Sequence, residues 1–290
     1  MGIGGIVDTG FREFWTRDGL RLVGNLGGDA DAPTVVLLHG GGQTRHSWSR
    51  AMKRLIAEGY RVVNFDARGH GDSSWSDTGD YSLLARARDL QTVVGDARPV
   101  ALVGASMGGM TSFYAVGNAL VPNAAALVLV DIVLRPAAAG VEKIQSFMRA
   151  HGDGFADLEE AMAAVTAYNP DRASRRDPSG LMKNLRRRDD GRLYWHWDPR
   201  MMAARPSAEP PAWSEDLLAS ARHVRIPTLL VRGGKSDIVD DAGVAELVEL
   251  VPQTQVHCVA DAGHMVAGDR NDAFNDSVVE FLRRCRFGGA

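Results

Sequence analysis

"LVGASMGGM", residues 102–110, runs an apolar stretch into a serine hemmed in by glycines. A strand that turns sharply into a helix holds the residue at the corner in a strained backbone conformation. Side chains two positions either way would collide there, and Gly104, Gly108 and Gly109 remove them. The strain projects the Ser106 oxygen outward. The helix that follows begins with free N–H groups, and that of Met107 can face a developing oxyanion. A glycine-rich packing turn would look the same in isolation, so the rest of the chain has to supply partners for the hydroxyl.

A histidine candidate stands near the C-terminal end. "DAGHMV" places His264 just after the last expected strand, beside Gly263, where a loop lets an imidazole reach across the strand ends. The other seven histidines, His39, His46, His70, His151, His196, His223 and His257, read as loop, turn or surface residues. Two carboxylates compete to orient His264: Asp237 in "RGGKSDIV" and Asp131 at the end of "LVLVD". Both open at the carboxyl edge of a parallel sheet, where such folds gather functional groups. Asp237 is favoured because its loop lies beside the histidine loop, with Asp131 as the alternative acid. The run His39-Gly40-Gly41-Gly42 ends another apolar stretch and lets backbone N–H groups approach a bound substrate. Gly41 N–H is the expected second oxyanion donor, and His39 at its head is a candidate substrate contact. "DARGHGDS", 66–73, reads as a tight turn with a local hydrogen-bond network, hence scaffold.

Around these motifs, short apolar runs alternate with segments of helical period. Strands are expected at 11–16, 20–27, 34–39, 61–66, 100–105, 126–131, 228–233 and 255–260, and helices at 45–58, 80–94, 107–120, 241–250 and 271–285. The pattern predicts an α/β fold: a mostly parallel eight-stranded sheet with helices on both faces. Alternation fails from 135 to 225, where no convincing strand stands out and Pro206, Pro210 and Pro211 cluster. This is read as a helical cap inserted after strand 6, dividing the core into 1–134 and 226–290. Within it, "LYWHWDPRMMAARP" (193–206) concentrates Trp195, Trp197, Met201 and Met202. These either pack the cap onto the core or line an apolar pocket.

Composition sets the outer bounds. The chain has 290 residues, 45% hydrophobic and 24% charged, with a formal net charge of -3, the profile of an ordinary globular protein. It lacks the clustered basic face that a nucleic-acid partner requires. The basic clusters Arg175-Arg176 and Arg186-Arg187-Arg188 read as a solvated helix face. No apolar segment reaches the roughly 20 residues of a membrane span. The N-terminus lacks the pattern of a secretory leader, and two cysteines, Cys258 and Cys285, make no disulfide framework. These features suit a cytoplasmic protein, monomer or homodimer, acting on a small molecule without metal or cofactor.

Taken together, H-G-G-G at 39–42, D-A-R-G-H-G-D-S at 66–73, G-A-S-M-G-G at 104–109, the Asp237 loop and G-H-M at 263–265 resemble the α/β-hydrolase family over nearly the whole chain except the cap. The resemblance implies Ser106 as nucleophile, His264 as general base, Asp237 as its orienting acid, and Gly41 and Met107 as the oxyanion hole. A serine at the nucleophile position disfavours the epoxide-hydrolase and haloalkane-dehalogenase branches, which use aspartate. The resemblance implies a serine hydrolase of small or medium apolar esters or lactones. Carbon–carbon hydrolysis of ring-cleavage products, with Arg192 or Arg200 holding the substrate carboxylate, perhydrolysis, and a non-catalytic ligand receptor are the alternatives.

Overall fold

A computed structural model describes residues 9–96, 98–169, 178–202, 212–264 and 271–287. Eight strands form one sheet in the order β1-β2-β4-β3-β5-β6-β9-β10. They are β1 (Gly10–Trp15), β2 (Arg21–Gly27), β3 (Thr34–Leu38), β4 (Arg61–Phe65), β5 (Val100–Ala105), β6 (Ala124–Val130), β9 (Thr228–Gly233) and β10 (Thr254–Val259). The first two form an antiparallel hairpin turning at Gly19, whose φ of 82° lies in the left-handed region that glycine enters without strain. β2 joins β4 antiparallel; every later pairing is parallel. Each expected strand is present, shifted by a residue or two at its ends.

Successive side chains on a strand face opposite ways, and at the central strands both faces are covered. On one side Leu38, Phe65, Leu102, Leu127 and Leu230 pack with Leu90 of α2 (Leu83–Val94), Phe113 of α3 (Met107–Gly117) and Leu247 of α8 (Asp241–Leu250). On the other, Leu37, Val62, Val103, Val128 and Val231 pack with Met52 and Leu55 of α1 (Ser49–Ala57) and with Phe274 and Phe281 of α9 (Asn271–Cys285). The apolar run at each central strand therefore encodes two layers of core at once. Among the described residues no helix is long and apolar enough to cross a membrane.

Between β6 and β9 the chain leaves the sheet through α4 (Ala138–Arg149), α5 (Leu158–Tyr168) and α6 (Pro178–Leu181). The expectation that this region holds no strand is corrected. β7 (Leu185–Arg187) and β8 (Leu193–Trp195) form an antiparallel hairpin. Its strands have three residues each and its first carries Arg186 and Arg187, so it offers neither the length nor the alternation by which a strand is read from sequence. Arg186, Arg187 and Arg188 thus sit on a hairpin rather than a helix face, exposed, with Arg188 over the Tyr194 ring at 3.9 Å. Arg175 and Arg176 lie outside the described residues.

The span 135–225 is also not cap throughout. α7 (Ala212–Ala221) lies against α3, and its Leu217 and Ala221 belong to the main core cluster, as does Val224. The contact is close enough that a Cβ on Gly117 would stand 2.5 Å from the Ser220 carbonyl oxygen. The cap proper has its own small core, in which Trp195 stacks on Trp197 at 4.8 Å and meets Phe155 edge-on at 5.0 Å.

The 66–73 segment is tied into the core by hydrogen bonds and ion pairs. Asp66 accepts the Arg45 N–H at 2.6 Å and pairs with the Arg45 guanidinium, while Ser73 donates to the Asp66 carbonyl at 2.7 Å and accepts the β2 Val23 N–H at 2.9 Å. Arg68 makes a two-pronged pair with Asp89 of α2, Nε–Oδ2 2.6 Å and Nη2–Oδ1 2.7 Å, both side chains being buried. Removing one partner strands a charge in the interior, whereas removing both removes the need for a partner. Arg68→Met alone should lower unfolding free energy in urea by about 3–5 kcal/mol, and the Arg68→Met/Asp89→Leu double variant should recover most of that loss.

Candidate active site at the strand ends

Ser106 sits between β5 and α3 with φ 46° and ψ -112°, a left-handed conformation costly for any residue with a side chain. The surroundings hold it there. A Cβ on Gly104 would lie 2.4 Å from the Gly108 carbonyl, and one on Gly108 would lie 2.4 Å from the Leu38 carbonyl. The Ser106 N–H donates to Val130 O at 3.0 Å, so the corner is tied to the end of β6. The next residue there is Asp131, itself at φ 49° and fully buried.

Asp131 is the carboxylate that meets the histidine. Its Oδ2 accepts from His264 Nδ1 at 2.8 Å and from the Ser236 hydroxyl at 2.6 Å, and its Oδ1 accepts the Gly233 N–H at 2.8 Å. With Nδ1–H committed to Asp131, the His264 tautomer leaves Nε2 as the acceptor. Asp237, favoured from sequence, is not in this pair. Its half-exposed carboxylate turns outward to Lys143 of α4, 2.8 Å away. The physical reason is loop geometry. After β9, Gly234 and Lys235 donate to Val259 and Ala262, drawing the chain toward the β10 end. Ser236 then points inward and Asp237 outward. The expectation identified the right loops but the wrong carboxylate, and it missed Ser236, whose serine in a glycine-rich loop carries no distinguishing signal.

The glycine run lies beside the serine, a Cβ on Gly40 falling 3.5 Å from Ser106 Cβ. Gly40 N–H donates to Gln43 Oε1 at 3.1 Å, and Gly42 N–H donates to His70 Nε2 at 3.2 Å. Gly41 N–H, in between, has no partner among the described residues. The Gly40 carbonyl accepts from His39 Nδ1 at 2.8 Å and from Gln43 N at 3.2 Å. Because the peptide is trans, fixing that oxygen turns the Gly41 N–H the opposite way. At the other edge, Met107 opens α3, where first-turn N–H groups have no acceptor within the helix.

Three histidines read as loop, turn or surface residues are buried: His39, His70 and His196. Their rings form a chain, centroids 5.0 Å apart for His39–His70 and 5.8 Å for His70–His196. Each accepts a backbone N–H, from Ala67 on His39 Nε2 (2.9 Å), from Gly42 on His70 Nε2 (3.2 Å) and from Gly71 on His196 Nδ1 (2.7 Å). A ring that accepts must be neutral. Burial accordingly lowers the pKa of His39, pushes that of His70 well below its usual value, and takes His196 down to about 3. Both His39 nitrogens are used on backbone, so the expectation that it contacts substrate is corrected to a structural role.

Of the cap residues, Trp195 is interior to the cap, and Met201 Sδ fills the space over Gly69, 3.2 Å from where a Cβ would stand. Trp197 differs: its ring edge lies 3.4 Å from a Cβ placed on Gly42, and Met148 Sδ of α4 lies 3.7 Å from one on Gly41. These two side chains roof the glycine run. Met148 was missed, since a methionine on an amphipathic helix looks like packing. Arg192 donates to the Asp153 and Gly154 carbonyls, and Arg200 to Asp198 and Ser76, so both guanidinium groups are committed to the fold.

The family description "alpha/beta hydrolase fold" matches residues 33–270. Over 256 residues the chain is 32% identical to Esterase Rv0045c of Mycobacterium tuberculosis, covering 85% of this chain and 82% of that protein. It is 28% identical to the mouse sn-1-specific diacylglycerol lipase ABHD11 over 273 residues, 89% of this chain and 83% of that one. A crystal structure of an alpha/beta hydrolase from Novosphingobium aromaticivorans aligns with a TM-score of 0.78 at 23% identity, covering 97% and 100% of the two chains.

The buried imidazoles make stability depend on pH. His196 is neutral when folded but protonated below its ordinary value of 6.5 when unfolded, so its contribution is complete above pH 6.5 and declines toward about pH 3. Urea unfolding at intervals from pH 6.5 to 4.5 should show wild-type stability falling, and His196→Gln should flatten that slope by about 1.4 kcal/mol per pH unit.

Proposed function

The chain belongs to the α/β-hydrolase fold family and is a carboxylic ester hydrolase, and from that premise we propose that it cleaves small to medium apolar esters or lactones through an acyl-enzyme on Ser106. One observation carries the reading. The strained serine is hydrogen-bonded to the residue preceding the buried Asp131, and Asp131 holds His264 by Nδ1. The serine corner after β5, the carboxylate after β6 and the imidazole after β10 are thus linked in one hydrogen-bonded run, which supports their reading as nucleophile, orienting acid and base.

In the first half-reaction His264 Nε2 takes the Ser106 proton as Oγ bonds to the ester carbonyl carbon. The charge that develops on the carbonyl oxygen is met by the N–H groups of Gly41 and Met107. When the tetrahedral adduct collapses, the bond to the leaving oxygen breaks and the imidazolium returns its proton to that oxygen, releasing the alcohol. Water, deprotonated by the same nitrogen, then adds to the acyl carbon, and the carboxylic acid leaves as Ser106 recovers its proton. Asp131 stabilises the imidazolium throughout and stays ionised.

Trp197 and Met148 give the roof over the glycine run its apolar character, which suits an apolar acyl group. A carbon–carbon hydrolase acting on a dienoic acid needs a cation for the substrate carboxylate, and the commitment of Arg192 and Arg200 to structural partners weighs against it.

A p-nitrophenyl ester series from acetate to decanoate, run beside a ring-cleavage diketone, tests the reading. Ser106→Ala should abolish ester turnover and leave the melting temperature unchanged; retained turnover would exclude the serine mechanism. Asp131→Asn should lower kcat by about 10³–10⁴-fold, the effect of mispresenting the imidazole tautomer, while Asp237→Asn should stay within about twofold of wild type. Trp197→Ala and Met148→Ala should move the preferred acyl length upward more than they move melting temperature. Equal effects on every ester would mean that the roof does not meet the acyl chain.

A further inference from the structure

We propose that His70 and the cap residue His196 are positioning residues for ester cleavage, fixing the two peptides that flank Gly42 so that the Gly41 N–H stays aimed at the oxyanion. This inference rests on the Ser106 reading and adds the cap to the apparatus that supports the reacting carbonyl.

Gly42 sits at φ 71° in a glycine-rich loop that could adopt many conformations. Two rings hold it. His70 Nδ1 faces the Arg68 carbonyl at 3.2 Å and so carries the hydrogen, which leaves Nε2 to accept the Gly42 N–H at 3.2 Å. His196 accepts the Gly71 N–H on Nδ1 at 2.7 Å, so its Nε2 carries the hydrogen and faces the Gly42 carbonyl at 3.4 Å. The two tautomers are opposite, and each is set by a second backbone group. One ring therefore reads the N–H of Gly42 and the other its carbonyl.

The Gly42 N–H belongs to the same peptide plane as the Gly41 carbonyl, so His70 fixes the plane on one side of Gly41. His39, through the Gly40 carbonyl, fixes the plane on the other. The Gly41 N–H then has no freedom left except what the whole loop has. His196 follows β8, the second strand of the cap hairpin, whereas Gly42 and Gly71 belong to the core. Trp197, the next residue, packs against Gly42 as well. Seating of the cap hairpin and the direction of an oxyanion donor are thereby parts of one hydrogen-bonded unit.

An oxyanion contact strengthens as charge develops, so loosening it lowers kcat more than it raises KM. With the full chain and a p-nitrophenyl ester, His70→Phe should lose about 10- to 100-fold in kcat while KM changes by less than about threefold. His70→Gln, whose side-chain carbonyl can stand where Nε2 stands, should recover most of the loss. His196→Phe should behave like His70→Phe, with a smaller effect matching its longer contact. Inhibition by an arylboronic acid, a tetrahedral mimic, should weaken in parallel with the fall in kcat/KM across the series. A folded His70→Phe with wild-type kcat overturns the proposal. If His70→Phe fails to fold, His70→Gln and His70→Asn decide: Gln keeps an acceptor for Gly42 and Asn does not, and equal kcat values overturn it. Ser106→Ala separates the two layers of the argument. Turnover surviving in Ser106→Ala defeats the serine mechanism, whereas turnover lost there but unchanged in the histidine variants defeats only the positioning role.

Discussion

A carboxylate sealed from solvent at the end of β6 organises the centre of this molecule. Leaving the Asp131 side chain without partners would cost several kcal/mol, so the fold must bring donors to it. It does so from the β9 strand end through Gly233, from the following loop through Ser236, and from the loop after β10 through His264. The residue before it accepts the Ser106 N–H. Segments distant in sequence thus meet at one group because that group cannot be left bare, and the arrangement that satisfies a buried carboxylate is also the one the proposed mechanism uses.

A second set of constraints acts on the glycine loop at 40–42. Glycines at 40–42 let the backbone approach Ser106, but glycine also gives the chain a freedom that an ordered loop has to lose. The buried histidines remove it. Because each accepts a backbone hydrogen, each must stay neutral, and burial keeps it so. Histidine acts here as a rigid, two-ended connector between backbone groups. The His264 ring differs from these three in pairing with a carboxylate instead of with backbone.

The cap contributes through packing as well as through hydrogen bonds. Its aromatic cluster of Phe155, Trp195 and Trp197 holds a short hairpin in shape, and that hairpin delivers His196 and Trp197 to Gly42. α7, which follows it, belongs to the core beside α3. The excursion after β6 is therefore attached to the glycine loop at a few defined points, with Trp197 and Met148 forming an apolar roof over it.

Local chemistry alone was enough for much of this protein. The apolar runs determined the strands because a strand covered on both faces must be apolar throughout. Gly104, Gly108 and Gly109 marked the corner at Ser106 because no other residue fits there, and Gly263-His264 marked the histidine loop. Tertiary structure decided what depends on where a side chain points once its loop has closed. Asp237 and Asp131 both stand at strand ends, and only the path of residues 234–236 turns one outward to Lys143 and leaves the other beneath His264. Likewise His70 and His196, 126 residues apart in sequence, look like ordinary loop residues until the cap hairpin folds over Gly42. Backbone sterics and hydrophobic periodicity are written in short windows of sequence; the partners of a buried polar group are written only in the way distant windows pack.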